Sequence, residues 1–331
     1  MALSENEAIR RCKRGRGFEY FYATGNKVGC RRTLQRIKRL VIPPQWQQVL
    51  INPKPSARIQ AEGLDRKHRR QYIYHPSWHE QQQQQKFSDM TDFGRCLPEF
   101  RQHCWQLLKR EQWTLKRSAA LACLLLDHTG LRAGNRQYTQ SNQTYGLTTL
   151  RRRHLHQEGD RIRLRFTGKH HRERDVVIDD PALADLVCES AEKQGYALFR
   201  YQADGHWHDI DSDDVNAFIH THLSDRFSCK DFRTWSASRF AVHSLPVVNS
   251  SLQQNVRRKW SPTLTQHVAD MLGNTPQICR KYYLHPKLIT AIESPRQRKQ
   301  LLSEVGEIMH DKRGYKHALS SLEKVLIQVI S

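Results

Sequence analysis

Four segments of the chain contain side chains that suit chemistry on a phosphate ester. They hold arginines, lysines and asparagines, which donate hydrogen bonds to phosphate oxygens. The segments span residues 129–135, 166–169, 230–235 and 273–276. Tyr283 follows the last segment, nine residues after Asn274, and its phenol can act as a nucleophile. These residue types predict phosphoryl transfer, in which positioning and electrostatics provide most of the catalysis.

The charge of the chain predicts a polyanionic partner. Lys and Arg number 54 against 33 Asp and Glu, which gives a formal net charge of +21. Residues 1–86 carry 18 basic and 6 acidic side chains, so they hold more than half of the surplus. Each phosphate that a basic side chain neutralises releases counterions, which favours nucleic-acid binding. A basic protein with no such partner is the alternative.

The cysteine pattern and the hydropathy predict a cytoplasmic, nucleoid-associated protein. The eight cysteines form no C-x-x-C pair and no zinc-like quartet, as in proteins with reduced thiols. No stretch approaches the length of a membrane span, and residues 1–13 lack the apolar core of a secretion signal. The three H-x-H pairs lack clustered Cys or carboxylate partners, so we expect no metal site.

The periodicity of apolar residues changes near residue 87. Before it, alternation over residues 19–22 and 71–74 predicts strands, and residues 33–41 predict a helix. The glutamine run at 81–85 is expected to be a linker or the start of the next helix. After it, residues 161–166 and 175–178 predict a hairpin around Gly168. Helices are predicted over residues 97–110, 115–128, 181–194, 213–223, 235–244, 262–271 and 275–283.

These elements predict an α+β protein with two domains. Residues 1–86 would form a small β-rich domain, and residues 87–331 a mainly helical domain with one small sheet.

The four segments resemble those of the poxvirus and bacterial type IB DNA topoisomerases in order and spacing. The resemblance extends over residues 16–290 and includes flanking sequences. These are Y-G-L-T-T-L at 145–150, C-R-K-Y-Y-L-H-P at 279–286, Q-Y-I-Y-H-P at 71–76 and I-P-P-Q-W at 42–46. The resemblance implies a monomeric enzyme without cofactors, whose two domains form a C-shaped clamp on double-stranded DNA.

The same resemblance implies a role for each candidate catalytic residue. Tyr283 would attack the scissile phosphate and form a 3′-phosphotyrosine. Arg132, Arg233 and Asn274 would contact the non-bridging oxygens, and Lys169 would protonate the departing 5′-oxygen. A general acid contributes roughly 10²–10⁴ in rate. The covalent bond would conserve energy for resealing without ATP, and the arginines would supply the positive charge without a metal ion.

Two of these positions carry a further expectation. At the position of Asn274, the viral members of this family have histidine and the bacterial members often have asparagine. An amide donates a hydrogen bond but carries no charge. We therefore expect activity with a somewhat slower transfer. Tyr282 competes with Tyr283 for the role of nucleophile, but adjacent residues of a helix point about 100° apart. The spacing from Asn274 selects Tyr283.

Further DNA contacts are predicted mainly in the first domain. Tyr72 and Tyr74 would share one face of a strand and reach the DNA, while Gln71 would point the other way. A buried aromatic pair is the alternative for the two tyrosines. The other predicted DNA contacts are Arg69, Arg70 and Lys230.

Two other functions fit part of the pattern. A tyrosine recombinase or integrase shares the nucleophile chemistry and the T-G-L-R string. Such enzymes usually have H-x-x-R where this chain has Lys230 and Arg233, and they lack the small β-rich domain. A non-catalytic DNA-binding protein would share the basic charge, but simple binding does not require a tyrosine at position 283.

Overall fold

The structure is a computed structural model that describes residues 3–255, 257–310 and 315–331. The chain divides into two units, Met1–Lys86 and Phe87–Ser331. Helices and strands occur together in small sheets and helical layers, which confirms the expected α+β class. No helix among the described residues is long and apolar enough to cross a membrane.

The first unit contains an antiparallel sheet with the strand order β2-β1-β3-β4-β5 and one helix. Its core includes Ile37 of the helix and Ile9, Val49 and Ile51 of the strands. The elements are β1 (Ile9–Arg14), β2 (Gly17–Phe21), α1 (Arg31–Arg39), β3 (Gln47–Ile51), β4 (Ile59–Leu64) and β5 (Arg70–Tyr74). The strands expected near residues 19–22 and 71–74 are therefore present, and β5 lies at an edge of the sheet.

The remaining elements are helices and three-stranded or two-stranded sheets. In chain order they are α2 (Pro76–Ser88), α3 (Met90–Leu108), α4 (Leu115–Thr129), α5 (Arg136–Asn142), β6 (Leu155–Glu158), β7 (Arg161–Gly168), β8 (Arg172–Ile178), α6 (Pro181–Ala191), β9 (Arg200–Ala203), β10 (His206–Asp209), α7 (Ser212–His222), α8 (Cys229–His243), α9 (Leu245–Gln254), α10 (Trp260–Leu272), α11 (Pro276–Tyr282), α12 (Pro286–Glu293), α13 (Pro295–His310) and α14 (Tyr315–Ile330).

Two central helices, α4 and α8, form the core of the second unit. Leu121, Leu125 and Leu126 of α4 are fully buried, as is Trp235 of α8. The ring of Trp235 lies so close to Gly94 of α3 that a Cβ atom there would collide with it. This packing holds the end of α4 and the first turns of α8 in place, and both carry candidate site residues.

Several elements differ from the sequence prediction. Helix α8 begins at Cys229 rather than 235, because Ser228 caps it and Asp231 closes a capping box. The glutamine run lies inside α2, so it is not a linker. Helix α11 ends at Tyr282, and Tyr283 is its C-cap with non-helical dihedral angles. The hairpin is confirmed as β7–β8, and β6 adds a third strand to it.

Candidate active site

The first candidate segment begins where helix α4 ends. Gly130 caps α4 in the left-handed conformation, with φ of 61°, and the next five residues belong to no helix or strand. A Cβ atom at Gly130 would lie 2.9 Å from Leu272 of α10 and 3.0 Å from Ser236 of α8. Glycine therefore lets three helices meet at this point. The chain then leads to Arg132, which is half-buried.

Arg233 lies on α8 with only 4% of its surface exposed. Its two Nη atoms donate 2.6 Å hydrogen bonds to the carbonyl oxygens of Gly130 and Leu272. Nε is buried and has no hydrogen-bond partner among the described residues. Burial lowers the pKa of Arg233 to about 10, an effect that nearby Arg132 increases and Tyr283 opposes. The guanidinium thus stays charged at neutral pH and keeps one donor available.

Asn274 lies in the turn between α10 and α11 and is 5% exposed. Its side-chain Oδ1 accepts a 2.6 Å hydrogen bond from Nη2 of Arg132. Its backbone oxygen accepts a 2.6 Å hydrogen bond from Nη1 of Arg172, at the start of β8. The amide Nδ2 is buried without a partner in the described part of the chain. Asn274 and Arg233 therefore each offer a buried nitrogen donor without a partner among the described residues.

Four arginines surround this turn. Besides Arg132, Arg172 and Arg233, buried Arg174 of β8 donates to the carbonyl oxygens at the end of α10. Among the described residues, none of the four pairs with a carboxylate. Burial lowers the pKa of Arg132, as does nearby Arg172, while Tyr283 opposes this decrease. The uncompensated positive charge suits a bound anion such as a phosphate diester.

Tyr283 faces this cluster, whereas Tyr282 does not. The guanidinium carbon of Arg233 lies 5.2 Å from the ring centroid of Tyr283. The backbone around Tyr283 is held by Ser238 of α8, whose Oγ accepts from the amide of His285 at 3.1 Å. Tyr282 is 38% exposed and lies beside Lys281 instead. The position of the two rings agrees with the selection of Tyr283.

Lys169 is placed apart from these contacts. It is exposed at the tip of the β7–β8 hairpin, and its ammonium group makes no hydrogen bond or ion pair with the described residues. The next two residues, His170 and His171, have φ of 63° and 54°, a left-handed conformation that is uncommon for histidine. The structure thus brings Arg132, Arg233, Asn274 and Tyr283 together and leaves Lys169 on the adjacent hairpin.

Four of the five candidate DNA contacts of the first unit lie on edge strand β5, and Arg69 immediately precedes it. The rings of Tyr72 and Tyr74 are 6.0 Å apart, and Tyr72 is 37% exposed. Ile73, on the other face, packs against the core of this unit, so the alternative of a core aromatic pair is not supported. Arg70 pairs with Glu62 at 2.7 Å.

Two further candidate DNA contacts, Arg69 and Gln71, bind the carboxylate of Asp65. Arg69 pairs with its Oδ2 at 2.6 Å, and the side-chain nitrogen of Gln71 donates to the same atom at 3.1 Å. Lys230 belongs to the second unit and is exposed in the first turn of α8.

Sequence reasoning did not identify Arg172 and Arg174 as parts of the site. The sequence signal that could have revealed them is the alternation of residues in β8, which places Arg174 at a position whose side chain points inward. An arginine at a buried strand position requires partners, because an unpaired buried charge is costly. Those partners are carbonyl groups almost one hundred residues away in the chain, at Asp270 and Met271.

Comparisons with known proteins show which family the chain resembles. Residues 75–308 match the model of the family described as eukaryotic DNA topoisomerase I, catalytic core, and residues 17–65 match that of the bacterial DNA topoisomerase IB, N-terminal domain. The chain is 26% identical over 291 residues to DNA topoisomerase 1B of Acanthamoeba polyphaga mimivirus, covering 84% of this chain and 85% of that protein. It is 22% identical over 268 residues to DNA topoisomerase 1B of vaccinia virus (strain Copenhagen), covering 77% of each.

Proposed function

Because the chain belongs to the type IB DNA topoisomerase family, we propose that it relaxes supercoiled DNA by cutting and resealing one strand through a 3′-phosphotyrosine. One observation carries this proposal. Arg132, Arg233 and Asn274 converge beside Tyr283, and two of their donors are buried without partners among the described residues. A buried donor without a partner is costly, and the oxygens of a phosphate would satisfy both.

The proposed cleavage step exchanges one phosphodiester bond for another. Oη of Tyr283 attacks phosphorus and loses its proton to solvent, and the bond between phosphorus and the 5′-oxygen breaks. Lys169 gives a proton to that oxygen, which leaves as a hydroxyl. Arg132 and Arg233 stabilise the charge on the phosphoryl oxygens, and the amide of Asn274 donates to one of them.

Resealing reverses these steps. The free 5′-hydroxyl attacks the phosphotyrosine, Lys169 takes back its proton, and the phenol of Tyr283 leaves. Because the covalent bond retains the energy of the broken one, the cycle requires no ATP. The arginine cluster supplies the positive charge at the phosphoryl group, so we expect activity without a metal ion.

We further propose a division of labour between the two units. Residues 87–331 would act as the catalytic domain, with Lys230 as an additional DNA contact. Residues 1–86 would bind DNA, since they carry most of the charge surplus and expose Tyr72 on an edge strand. Tyr74 would contact the duplex beside Tyr72, and Gln71 would contact it from the other face of the same edge strand, so that both units of a monomer hold the DNA as a clamp. Arg69 and Arg70 would add phosphate contacts.

The nucleophile is tested with a pair of matched variants. Tyr283→Phe keeps the ring next to Arg233 but removes the attacking oxygen, so relaxation and the covalent adduct should both vanish. Tyr282→Phe removes the same atom from the exposed neighbour and should leave both nearly unchanged. Plasmid relaxation is measured with EDTA and without ATP, and the adduct is trapped by denaturation and mapped by peptide sequencing.

The trapped adduct also distinguishes the proposed chemistry from its alternatives. Protein should be attached to the 3′ end of the nick, with a free 5′-hydroxyl. An adduct on Tyr282, or on a 5′ end, would contradict the proposal. Relaxation of plasmids that share no recognition site would favour a topoisomerase, whereas a strict site requirement would favour a recombinase.

A further inference from the structure

Arg174 is an arginine buried in a strand, with 9% of its surface exposed. Nη1 donates to the carbonyl oxygen of Asp270 at 3.2 Å, and Nη2 donates to that of Met271 at 2.6 Å. Both carbonyls belong to the last turn of α10, where the helix dipole is negative, and that of Asp270 also accepts from the backbone amide of Gly273 at 3.1 Å. A guanidinium suits this position, and it connects β8 to the end of α10.

Two glycines make room for this connection. Gly168 lies at the end of β7, and a Cβ atom added to it would lie 3.0 Å from Cγ of Arg174. Gly273, which caps α10 with φ of 63°, would place a Cβ atom against Nη1 and 2.9 Å from Cδ of Arg174. The stem and the head of Arg174 therefore pass between two backbones without space for another side chain.

A second arginine of the same strand reaches the same turn. Nη1 of Arg172 donates a 2.6 Å hydrogen bond to the backbone oxygen of Asn274. Arg174 donates to the carbonyl oxygens of Asp270 and Met271, which precede this turn. The hairpin is thus attached to three carbonyl oxygens on either side of Gly273. Asn274 and the β7–β8 hairpin consequently have a fixed spacing within the second unit.

The placement of Arg174 is unfavourable by itself. Burial lowers the pKa of Arg174, and nearby Arg132 and Arg172 lower it further. A buried cation among other cations costs stability unless its hydrogen bonds compensate. Lys169, at the tip of the same hairpin, has no hydrogen bond of its own to the described residues and precedes two residues in left-handed conformations. Its position therefore depends on the attachment of the strands that carry it.

We propose that Arg174 is a positioning residue that attaches the hairpin to the end of α10, so that Lys169 and Asn274 reach the same phosphate. This inference rests on the proposed function, in which Lys169 is the general acid. Arg174 would not contact the DNA, because both of its Nη atoms donate to the carbonyl oxygens of Asp270 and Met271 and, unlike Arg233, it has no buried donor without a partner among the described residues. Its loss would impair proton donation by misplacing Lys169.

The experiment compares two DNA substrates that differ in one atom. One has the normal 5′-bridging oxygen at the scissile phosphate, and the other has a 5′-bridging sulfur, which leaves as a thiolate without a proton. Single-turnover cleavage is measured for wild type, Lys169→Ala, Arg174→Met and Arg174→Lys. Arg174→Met keeps the unbranched stem without its donors, and Arg174→Lys keeps the charge and one donor group.

Arg174→Met should slow cleavage of the oxygen substrate by about 10²-fold, as expected for a misplaced catalytic group. Its cleavage rate on the sulfur substrate should be within a few-fold of the wild-type rate. Arg174→Lys should also be slow on the oxygen substrate only, but by a smaller factor. The matched control is Arg163→Met on β7, because among the described residues Arg163 forms ion pairs only with Glu158 and Asp175, away from the α10 turn. That variant should cleave both substrates at the wild-type rate.

The remaining possible outcomes would contradict either the role of Arg174 or the role of Lys169. Equal defects of Arg174→Met on both substrates, or no defect, would overturn the role of Arg174. If Arg174→Met does not fold, as judged by thermal unfolding, the same criterion applies to Arg174→Lys. A defect of Lys169→Ala that sulfur does not rescue would instead overturn the general acid in the proposed function. Rescue of Lys169→Ala without rescue of Arg174→Met would overturn only the present inference.

Discussion

Arg132 donates a 2.6 Å hydrogen bond to the side-chain oxygen of Asn274, and this bond determines which end of the amide faces the site. Arginine has donors and no acceptor, so the oxygen must point to Arg132 and the nitrogen must point away. That nitrogen is buried and has no partner among the described residues. Asn274 is therefore oriented as a hydrogen-bond donor before any DNA is bound.

The first prediction concerns this orientation. Asn274→Asp keeps the size of the side chain and the acceptor for Arg132, but replaces the donor with a negative oxygen. Cleavage should slow by about 10²–10³-fold, the loss typical of one donor to a transition-state oxygen. Asn274→His keeps a donor and should stay within about 10-fold of wild type. Single-turnover cleavage gives the rates, and unchanged cleavage by Asn274→Asp would remove Asn274 from the site.

The second prediction concerns DNA binding by the whole chain. With a net charge of +21, the protein should lose roughly 10³ or more in affinity between 50 and 200 mM salt, since counterions are released on binding. Fluorescence anisotropy should be measured with Tyr283→Phe, so that covalent trapping does not contribute. An affinity that hardly depends on salt would contradict phosphate contacts from both units.

The third prediction concerns a buried ionic network that includes the last helix. Glu323 of α14 accepts from Arg101 at 2.6 Å and from Arg239 at 3.1 Å, and both arginines also pair with Asp127 of α4. The indole of Trp235 donates to Glu323 at 3.0 Å. The network thus attaches α14 to the helices that carry the site.

Glu323→Gln should destabilise the protein by about 3 kcal/mol, because it leaves two buried arginines with a single carboxylate. The matched control is Glu307→Gln on α13, an exposed glutamate whose Oε1 accepts a hydrogen bond from Oγ of Ser303. This change should cost less than about 0.5 kcal/mol. Urea unfolding measures both values, and equal stabilities of the two variants would show that the network contributes nothing.

The fourth prediction concerns the pH dependence of stability through His285. Its Nδ1 accepts from the amide of Lys287 at 3.2 Å, and its Nε2 lies 3.3 Å from the carbonyl oxygen of Phe87. A neutral ring protonated on Nε2 satisfies both contacts. Burial lowers the pKa of His285, and Lys287 lowers it further, although the hydrogen bond to Phe87 opposes this.

In the unfolded chain, His285 takes up a proton near its ordinary pKa of about 6.5, whereas the folded protein takes it up only at lower pH. The unfolded state therefore binds more protons in this window, and the free energy of unfolding decreases as the pH falls. His285→Asn retains an acceptor for Lys287 but does not titrate, so it should show a shallower decrease between about pH 7.5 and 5.5. Parallel slopes in urea unfolding would contradict this prediction.

The sequence by itself determined the family, the α+β class and the order of the site residues. Local signals carry this information, since the alternation in β7 and β8 and the short motifs around Arg132, Arg233 and Asn274 need no knowledge of distant contacts. The start of α8 was also encoded locally, in the capping box from Ser228 to Asp231, but the apolar periodicity alone did not reveal it. Strand β1 was missed because most of its side chains are basic and exposed.

Only the tertiary structure decided which side chains meet. Arg132 and Asn274 are separated by 142 positions in the chain, and Arg174 lies 97 positions from Met271. Such contacts depend on how α4, α8 and α10 pack, and no local pattern encodes that geometry. The sequence therefore predicted Arg132, Arg233 and Asn274 as cations and donors for a phosphate. The packing decided that Arg174 binds carbonyl oxygens instead, because the end of α10 provides the partners that a buried guanidinium needs.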